Sequence, residues 1–241
     1  SSLLFGYRGL DGRFRESAVT WSRTPLRIDA AGADFLLELD PGHADELFIE
    51  VGLVAQDTPC LARYRDAAAH ARRRMRARHR RGARVRSGAP LFADWMERSR
   101  ADLALLTSDL ATGPYPFAGI PWFSTPFGRD AVITSLQVLW LNPTLARGVL
   151  AFLAEHQAHE SSAFLDAAPG KIMHETRKGE MAALRELPFG LYYGGVDTTP
   201  LFVMLAGAYA RRTGDLGFIE LLWPALVAAT AWIERTCDAH P

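Results

Sequence analysis

The sequence predicts an α+β chain in two parts, a β-rich segment followed by a larger all-helical one. Two patterns lead to this prediction. Apolar residues alternate with a period of two in the first 56 residues, and they recur at helical spacing after Pro59. Charge divides in the same way, with 16 basic and 11 acidic residues up to residue 90 and 11 basic and 16 acidic residues after it. At 241 residues, 49% of them hydrophobic, the chain can bury a substantial core.

The first 57 residues are predicted to form a β unit of short strands separated by turns. Residues 35–39 and 47–53 show the alternation of a half-buried strand, and residues 21–28 fit another pair of short strands. Asp11-Gly12 and residues 40–45 have the composition of turns. A unit this small cannot close a two-sheet core alone, so we interpret it as the last part of a sandwich.

The chain becomes helical from Pro59 onward. We expect an Arg-rich helical linker over 58–90, whose helix ends before the Arg-Ser-Gly-Ala-Pro break at 86–90, and a helical domain over 91–241. Asn142-Pro143 and Thr199-Pro200 are each expected to begin a helix, because Pro is favoured at the first helical position. Gly214-Asp215 is expected to separate the last two helices, because Gly is favoured just beyond a helix end. The expected helices of the domain are residues 91–111, 131–141, 143 to about 159, 201–211 and 216–237.

Two conspicuously long connections, residues 112–129 and 160–196, separate these helices. Long loops inside a compact domain are usually functional. The simplest architecture is therefore a helical array with its chemistry on the loops at one end. Three short stretches concentrate the candidate residues, and we name them the first loop (119–130), the second loop (170–180) and the third loop (192–200).

The first loop combines aromatic rings with an Arg-Asp pair. Trp122 and Phe123 offer flat apolar faces for the C–H side of a sugar ring, while Arg129 and Asp130 offer directed hydrogen bonds to hydroxyl groups. A loop so rich in large apolar groups is expected to line a pocket. The alternative is that Asp130 only caps the helix over 131–141 and that Arg129 pairs locally.

The second and third loops add polar groups. His174, Glu175 and Arg177 can together donate to and accept from several hydroxyls, although a solvated charged turn is the alternative interpretation. In the third loop, Pro200 at the first helical position makes Thr199 the expected cap, which leaves Asp197 free at the helix mouth. The two adjacent tyrosines and glycines allow close approach of a ligand, and Tyr193 is the candidate substrate-binding tyrosine.

The sequence gives weaker support for a polyanion, metal or cofactor site. The run 72–86 holds nine arginines, which suits a polyanion, but it contains no aromatic residue, and a solvated linker helix is favoured over nucleic-acid binding. His156 and the His159-Glu160 pair lack a fourth partner at recognisable spacing, so no metal is expected. Phosphate-binding and dinucleotide fingerprints are absent from the sequence, and no cofactor is expected.

The cysteine content and the hydropathy of the sequence predict the cellular compartment of the protein. Two cysteines far apart, Cys60 and Cys237, define no disulfide framework and favour a reducing compartment. The most apolar stretch, residues 221–233, contains Pro224 and is too short to span a bilayer. We therefore expect a cytoplasmic protein with no membrane partner, of unknown oligomeric state.

The three loops, in this order and spacing, resemble the bacterial glycogen-debranching, amylo-α-1,6-glucosidase-like family. The matching stretches are GIPWFSTPFGRDAVIT, GKIMHETRKGE and YYGGVDTTPLF, which all lie within residues 117–203. The resemblance implies that residues 1–57 are the end of an N-terminal β-sandwich. It also implies that residues 91–241 are the first half of an (α/α)6 toroid, a fold shared with glucoamylase-like enzymes and neutral invertases.

The same resemblance implies a role for each loop. Arg129 and Asp130 would bind the non-reducing sugar in the innermost subsite, walled by Trp122 and Phe123. The residues that would extend the sugar-binding surface are His174, Glu175, Arg177 and Asp197. The reaction implied is inverting hydrolysis of α-1,6 branch stubs, in which a carboxylic acid protonates the leaving oxygen and a carboxylate activates water. The implied partner is an α-glucan such as glycogen, limit dextrin or a maltooligosaccharide.

The chain departs from that family in one respect. The family's general acid follows the helix that ends here near Cys237, and its base lies much later, so both are expected outside this sequence. We therefore expect a fragment that is inactive alone and that exposes an apolar face of an open ring. Two alternatives remain. One is another (α/α)6 glycosidase or phosphorylase of the glucoamylase, trehalase or invertase type; the other is a non-catalytic carbohydrate-binding module.

Overall fold

The computed structural model describes residues 2–54 and 57–239. Within these residues the chain is a mixed α/β protein with small antiparallel sheets and seven α-helices, which confirms the predicted class. It divides into two compact units, Ser1–Arg74 and Met75–Pro241. The division falls inside the expected linker over 58–90.

The first unit contains two antiparallel sheets. One has three strands in the order β1-β2-β5, and the other is the hairpin β3-β4. Asp11-Gly12 forms the predicted turn between β1 and β2, and Gly12 takes the left-handed φ of +74° that the turn requires. The strands are β1 (Ser2–Arg8), β2 (Phe14–Trp21), β3 (Arg27–Asp29), β4 (Gly32–Asp34) and β5 (Ile49–Gly52).

Two strand predictions were wrong. Residues 35–40 are irregular, because Leu36 and Leu37 are both exposed and the segment therefore has no single apolar face. The Phe35 ring instead packs edge-on against buried Trp21, with their centroids 6.0 Å apart. Residues 21–28 are not a strand pair, since β2 ends at Trp21 and β3 begins only at Arg27.

The second unit is mainly helical, and its core lies between α3, α4, α6 and α7. Gly214, in the left-handed region at φ +69°, ends α6 as the sequence predicts. Tyr115, Phe202, Leu153 and Leu205 are among the fully buried side chains of this core, each worth roughly 1.5–3 kcal/mol of transfer free energy. The helices are α1 (Leu61–His79), which begins in the first unit, then α2 (Pro90–Leu106), α3 (Gly128–Val138), α4 (Pro143–Glu155), α5 (Glu180–Ala183), α6 (Thr198–Thr213) and α7 (Leu216–Ala239).

A hairpin replaces the predicted end of the helix over 91–111. α2 stops at Leu106, and β6 (Thr107–Leu110) pairs with β7 (Gly113–Pro116). The helical spacing of leucines continues into β6 by coincidence, whereas the hairpin is imposed by burial of Tyr115 from β7 against α4. Gly113 at φ +124° allows the turn.

The arginine run is only partly the solvated helix that the sequence favours. α1 is half-buried or exposed along its length, but the guanidinium groups of Arg78 and Arg81 reach Asp109 of β6 at 3.1 and 2.6 Å. Just beyond α1, the Ala83 amide donates to the Leu141 carbonyl at 2.7 Å, and the buried Arg100 side chain donates to the Ala83 carbonyl at 2.6 Å. The end of the run is therefore attached to the helical unit.

α7 corrects the argument from the apolar stretch 221–233. The helix continues through Pro224, and its span Leu216–Asp238 is long and apolar enough, by length and composition, to cross a membrane. Core helices of soluble proteins pass the same test. One face of α7 is buried in the core of the second unit, through Phe218, Leu222, Leu226, Ala229 and Trp232.

Candidate functional site

The three loops meet in space through their backbones. Glu175 of the second loop forms antiparallel bridges with Phe127 of the first loop and with Tyr192 of the third. The Gly128 amide donates to the His174 carbonyl and the His174 amide donates to the Tyr192 carbonyl, both at 2.7 Å. We call this arrangement the three-loop layer. It places stretches far apart in sequence within hydrogen-bond distance of one another.

Gly128 explains how the first loop can approach so closely. A Cβ atom at this position would lie 2.7 Å from Thr198 Cγ2 and closer still to the Met173 carbonyl oxygen. Such a clash with backbone cannot be relieved by a side-chain rotation. Glycine is therefore required where α3 begins against the second loop and α6.

Arg177 ties the side chains of the layer together. Its guanidinium donates to the Trp122 carbonyl at 3.2 Å and to Glu175 Oε2 at 3.4 Å. It also lies 5.8 Å from the ring centroids of Phe127 and Phe189, which is a cation–π distance. Glu175 is buried and forms an ion pair with Arg177. Because a buried carboxylate is stable only with such a partner, we interpret Glu175 as a residue that holds the layer together.

Arg129 and Asp197 form the exposed ion pair of the site. Arg129 Nη1 lies 3.5 Å from Asp197 Oδ2, and the two side chains are 47% and 41% exposed. The alternative of local pairing between Arg129 and Asp130 is therefore wrong, because the partner is 68 residues away. Both groups of the pair are open to solvent and can exchange part of their contact for a ligand hydroxyl.

The predicted cap at Thr199 is also wrong. α6 begins at Thr198, two residues before Pro200, and Asp197 occupies the N-cap position, although its carboxylate makes no capping bond within the described residues. Thr199 is fully buried, and its hydroxyl accepts a hydrogen bond from the Ile172 amide at 2.9 Å. Thr199 therefore fastens the second loop to α6, and the Asp197 carboxylate faces Arg129.

Two cavities flank the layer. The larger, of about 840 Å³, is a groove between the first and second loops, and Trp122, Arg177 and Phe189 line it. The smaller, of about 260 Å³, lies beside Arg129 and Asp130. Phe117, at the end of the β6–β7 hairpin, lines both. Trp122, which lines the groove, is 79% exposed, and Phe123 of the same loop is 52% exposed.

Tyr193 and Asp130, both predicted to bind substrate, lie against the packed interior of the second unit. Tyr193 is only 3% exposed, and its hydroxyl donates to the His156 carbonyl at 2.9 Å. Burial raises the pKa of Tyr193. The structure therefore does not offer Tyr193 to a ligand, and the expectation that it contacts substrate is corrected. Asp130 lies near Tyr115, where burial first and the Asp130 charge second raise the pKa of that tyrosine well above its ordinary value.

Sequence reasoning missed several residues of the site. Phe117 and Phe189 line the groove without belonging to any of the three loops. His156, considered only as a metal ligand, stacks on Phe152 with centroids 4.1 Å apart and also lines the groove. In the part of the chain that the structure describes, no group of three or more His, Cys, Asp or Glu side chains is arranged to hold a metal ion.

Comparison with known proteins adds no assignment. No known protein family and no curated protein matches this chain.

Proposed function

We propose that the three-loop layer is the substrate-binding wall of a glycoside hydrolase resembling the amylo-α-1,6-glucosidases, and that its ligand is an α-glucan. One observation carries the proposal. The three stretches that carry the resemblance are joined by backbone hydrogen bonds, and the Arg129–Asp197 pair links the first loop to the third. Three unrelated surface turns have no reason to share one hydrogen-bonded layer.

The chemistry of the layer suits a polyhydroxylated ring. Arg129 and Asp197 supply a donor and an acceptor that are both exposed, and charge-assisted hydrogen bonds are roughly twice as strong as neutral ones. Trp122 and Phe123 supply exposed ring faces in the first loop. The groove of about 840 Å³ falls in the range of roughly 300–1,000 Å³ that is usual for ligand sites.

The proposal assigns these residues to holding the substrate and not to cleaving it. Glu175 pairs with Arg177 and Asp197 pairs with Arg129, so each carboxylate already has a cationic partner within the layer. The inverting mechanism needs two carboxyl groups roughly 6.5–9.5 Å apart on opposite faces of the sugar. We propose that this pair comes from outside the chain, which then supplies the sugar-binding surface.

The finer fold is part of the same proposal. α3 with α4, and α6 with α7, are consecutive packed helices joined by only a few residues, as in helical hairpins. Such hairpins are the repeating unit of an (α/α)6 toroid, of which residues 91–241 would form the first half. Residues 1–57 would be the end of a β-sandwich. Two exposed free thiols, Cys60 and Cys237, suit a cytoplasmic enzyme.

Calorimetry with maltotetraose and with phosphorylase-limit dextrin tests the proposal. We expect the unaltered chain to bind both and Asp197→Asn to bind roughly tenfold more weakly, because about 1.5 kcal/mol of charge-assisted hydrogen bonding is lost. Glu160→Gln, an exposed carboxylate outside the three loops, is the matched control and should bind as the unaltered chain does. Absence of binding to every α-glucan would contradict the proposal.

A ligand panel separates the debranching activity from its sister activities. We expect limit dextrin to compete with maltotetraose, and trehalose and sucrose not to. Preference for trehalose or sucrose would move the chain to the trehalase-like or invertase-like enzymes. Tight glucan binding that is unchanged in Asp197→Asn would favour a carbohydrate-binding module that uses another surface.

A further inference from the structure

A small cavity lies where the end of the arginine run contacts the helical unit. Its volume is about 20 Å³, and its walls come from the end of α1 and the turn after it, from α2, from the β6–β7 hairpin and from the segment between α3 and α4. That volume accommodates one particle of about the size of water, since roughly 10–15 Å³ is enough to hold a water molecule. We call it the arginine cavity. Its polar lining residues are Arg78, His79, Arg81, Arg100, Thr107 and Asn142.

The arginine cavity is lined by an excess of positive charge. Three of its described lining residues are arginines and none is acidic. Arg78 and Arg81 share one carboxylate, that of Asp109, which lies outside the lining. Two guanidinium groups bound to one carboxylate leave one positive charge without a counterion.

Arg100 of α2 adds a second uncompensated charge. Its side chain is buried, and its guanidinium donates to the carbonyl oxygens of Ala83 at 2.6 Å and of His79 at 2.7 Å. Among the residues that the structure describes, no carboxylate forms an ion pair with it. Backbone carbonyls at the end of a helix carry only partial charge. Because buried charges are normally paired with a full opposite charge, Arg100 favours an anion nearby.

Two further donors of the lining lack a partner. Arg81 Nη1 is buried and makes no hydrogen bond among residues 2–54 and 57–239. Asn142 is only 7% exposed, and its Oδ1 accepts a hydrogen bond from the Thr144 hydroxyl at 2.6 Å. The amide nitrogen of the same side chain makes no hydrogen bond to any described residue. Native proteins leave few buried donors unpartnered, and those that persist call for an explanation.

The backbone brings these donors together. Gly82, at a left-handed φ of +82°, turns the chain directly after Arg81. A Cβ atom there would lie 2.9 Å from Asn142 Cβ, so the turn is packed against the segment that carries Asn142. Arg100 donates to carbonyls on both sides of this turn. The positions of the donors are therefore fixed by tight packing.

Size and charge define the ligand. The unpartnered groups are N–H donors, so the ligand must accept hydrogen bonds. Water accepts them, but it leaves the excess positive charge uncompensated. Phosphate, sulfate and carboxylates compensate the charge, but each has several heavy atoms and is too large for a cavity of the size of one water molecule. A monatomic anion meets both requirements.

We propose that the arginine cavity binds one chloride ion, held by Arg81, Arg100 and Asn142. The ion fastens the end of α1 to α2 and to the segment before α4. This inference goes beyond the proposed function and is independent of it, because no lining residue belongs to the three loops. Its consequence is a native state whose stability depends on chloride itself and not only on ionic strength.

Thermal unfolding of the full chain provides the first test. Sodium chloride replaces sodium methanesulfonate at constant ionic strength, so that screening of surface charges is unchanged. Methanesulfonate has several heavy atoms and is too large for the cavity. An ion that binds only the native state raises Tm by mass action, and we expect a rise of about 3–6 °C at a chloride concentration about ten times Kd.

Asn142→Asp is the variant that replaces the ion. Its carboxylate supplies a fixed negative charge at the cavity, and Asn and Asp are equally favoured before a helix start, so α4 should begin as before. We expect Tm in methanesulfonate to match or exceed that of the unaltered chain, and the chloride-dependent rise to disappear. Gln137→Glu, the same amide-to-carboxylate change at an exposed position of α3, is the matched control and should keep the full rise.

Arg81→Gln removes a ligand of the ion. It also removes one partner of Asp109, so Tm should fall in both salts, but the difference in Tm between the salts should vanish. Arg98→Gln, at an 80% exposed side chain of α2, is its matched control and should keep that difference. A purely structural Arg81 would lower Tm and leave the difference between the salts unchanged.

Chloride NMR measures the ion directly, because exchange with a protein site broadens the chloride resonance. We expect the unaltered chain and Gln137→Glu to broaden it, and Asn142→Asp to lack this broadening. Equal Tm in both salts together with no broadening would show that the cavity takes only water, and would overturn the inference while the proposed function stands. A chloride-dependent rise that Asn142→Asp and Arg81→Gln both keep would place the ion elsewhere and overturn it equally.

Discussion

Asp109 receives two guanidinium groups from the end of the arginine run. Burial acts to raise the pKa of this carboxyl, but the hydrogen bonds from Arg81 and Arg78 together outweigh burial and hold the pKa below its ordinary value. A carboxyl whose pKa is lowered by folding stabilises the folded state above its unfolded pKa, near 3.9. That contribution is lost as pH falls through the folded value.

Asp109→Asn should therefore lower stability at pH 7, by on the order of 1 kcal/mol, because the side chain is 43% exposed and solvent screens the pair. The difference in Tm between this variant and the unaltered chain should shrink as pH falls from 5 toward 3. Thermal unfolding followed by circular dichroism measures it. Asp102→Asn, in the exposed Arg98–Asp102 pair of α2, is the control and should change Tm little at any pH. Equal effects of the two substitutions would contradict the argument.

Two glycines inside helices show how packing decides what a sequence tolerates. Gly148 of α4 faces β7, where a Cβ would lie 3.0 Å from the Pro114 nitrogen and closer still to its carbonyl oxygen. Gly207 of α6 meets only the flexible Arg211 side chain, at 3.8 Å. Helix propensity favours alanine equally at both positions.

Gly207→Ala should raise the free energy of unfolding by about 0.5–1 kcal/mol, since only propensity changes. Gly148→Ala should lower it by about 1–3 kcal/mol, because β7 must move away from α4. Urea unfolding followed at 222 nm compares the two variants. A gain in stability for both would show that the hairpin is not held closely against α4.

The elements that the sequence predicts well are those with local signals. Asn142-Pro143 places the start of α4 and Gly214 the end of α6, because Pro at the first helical position and a left-handed Gly after the last one act within a single turn. The β6–β7 hairpin escapes prediction because its leucines continue a helical spacing, while the burial of Tyr115 that imposes the hairpin depends on α4. Long-range contacts carry no local signature.

In the candidate site, too, features with a local sequence signal could be predicted and features set by long-range contacts could not. Its polar residues could be selected by type from the three loops, and Arg129 and Asp197 do lie together. The Arg129–Asp197 pair could not be predicted from the sequence. It depends on how closely the first loop packs against the second at Gly128, where a Cβ atom would clash with the Met173 carbonyl. Tyr193 was misassigned because a tyrosine beside glycines has the same sequence whether it faces a ligand or the core.

At the scale of the whole molecule, α6 and α7 leave an apolar groove of about 640 Å³ open, lined by residues such as Ile219, Trp223 and Val227. Trp223 is 60% exposed and Val227 53% exposed. Large contiguous apolar surfaces promote association of proteins in solution. We therefore expect the isolated chain to associate through this surface.

We expect the average mass measured by light scattering after gel filtration to rise with protein concentration. Trp223→Glu should reduce that rise, because a charge in the groove must be desolvated on association. Leu91→Glu, at a position 87% exposed on α2, is the matched control and should leave the rise unchanged. A monomer at all concentrations, or equal effects of both substitutions, would contradict this expectation.

The three-loop layer also has a consequence for how the chain folds. Its contacts join residues 51, 55 and 68 positions apart in sequence, so closing it costs loop entropy that only the docked helices can offset. Contacts of such separation form late, after local helices and hairpins. A ligand that spans the three loops would bind the native chain alone and stabilise it, by about 2.7 kcal/mol at a concentration one hundred times Kd. Binding of such a ligand would therefore be detected only after the three loops have assembled.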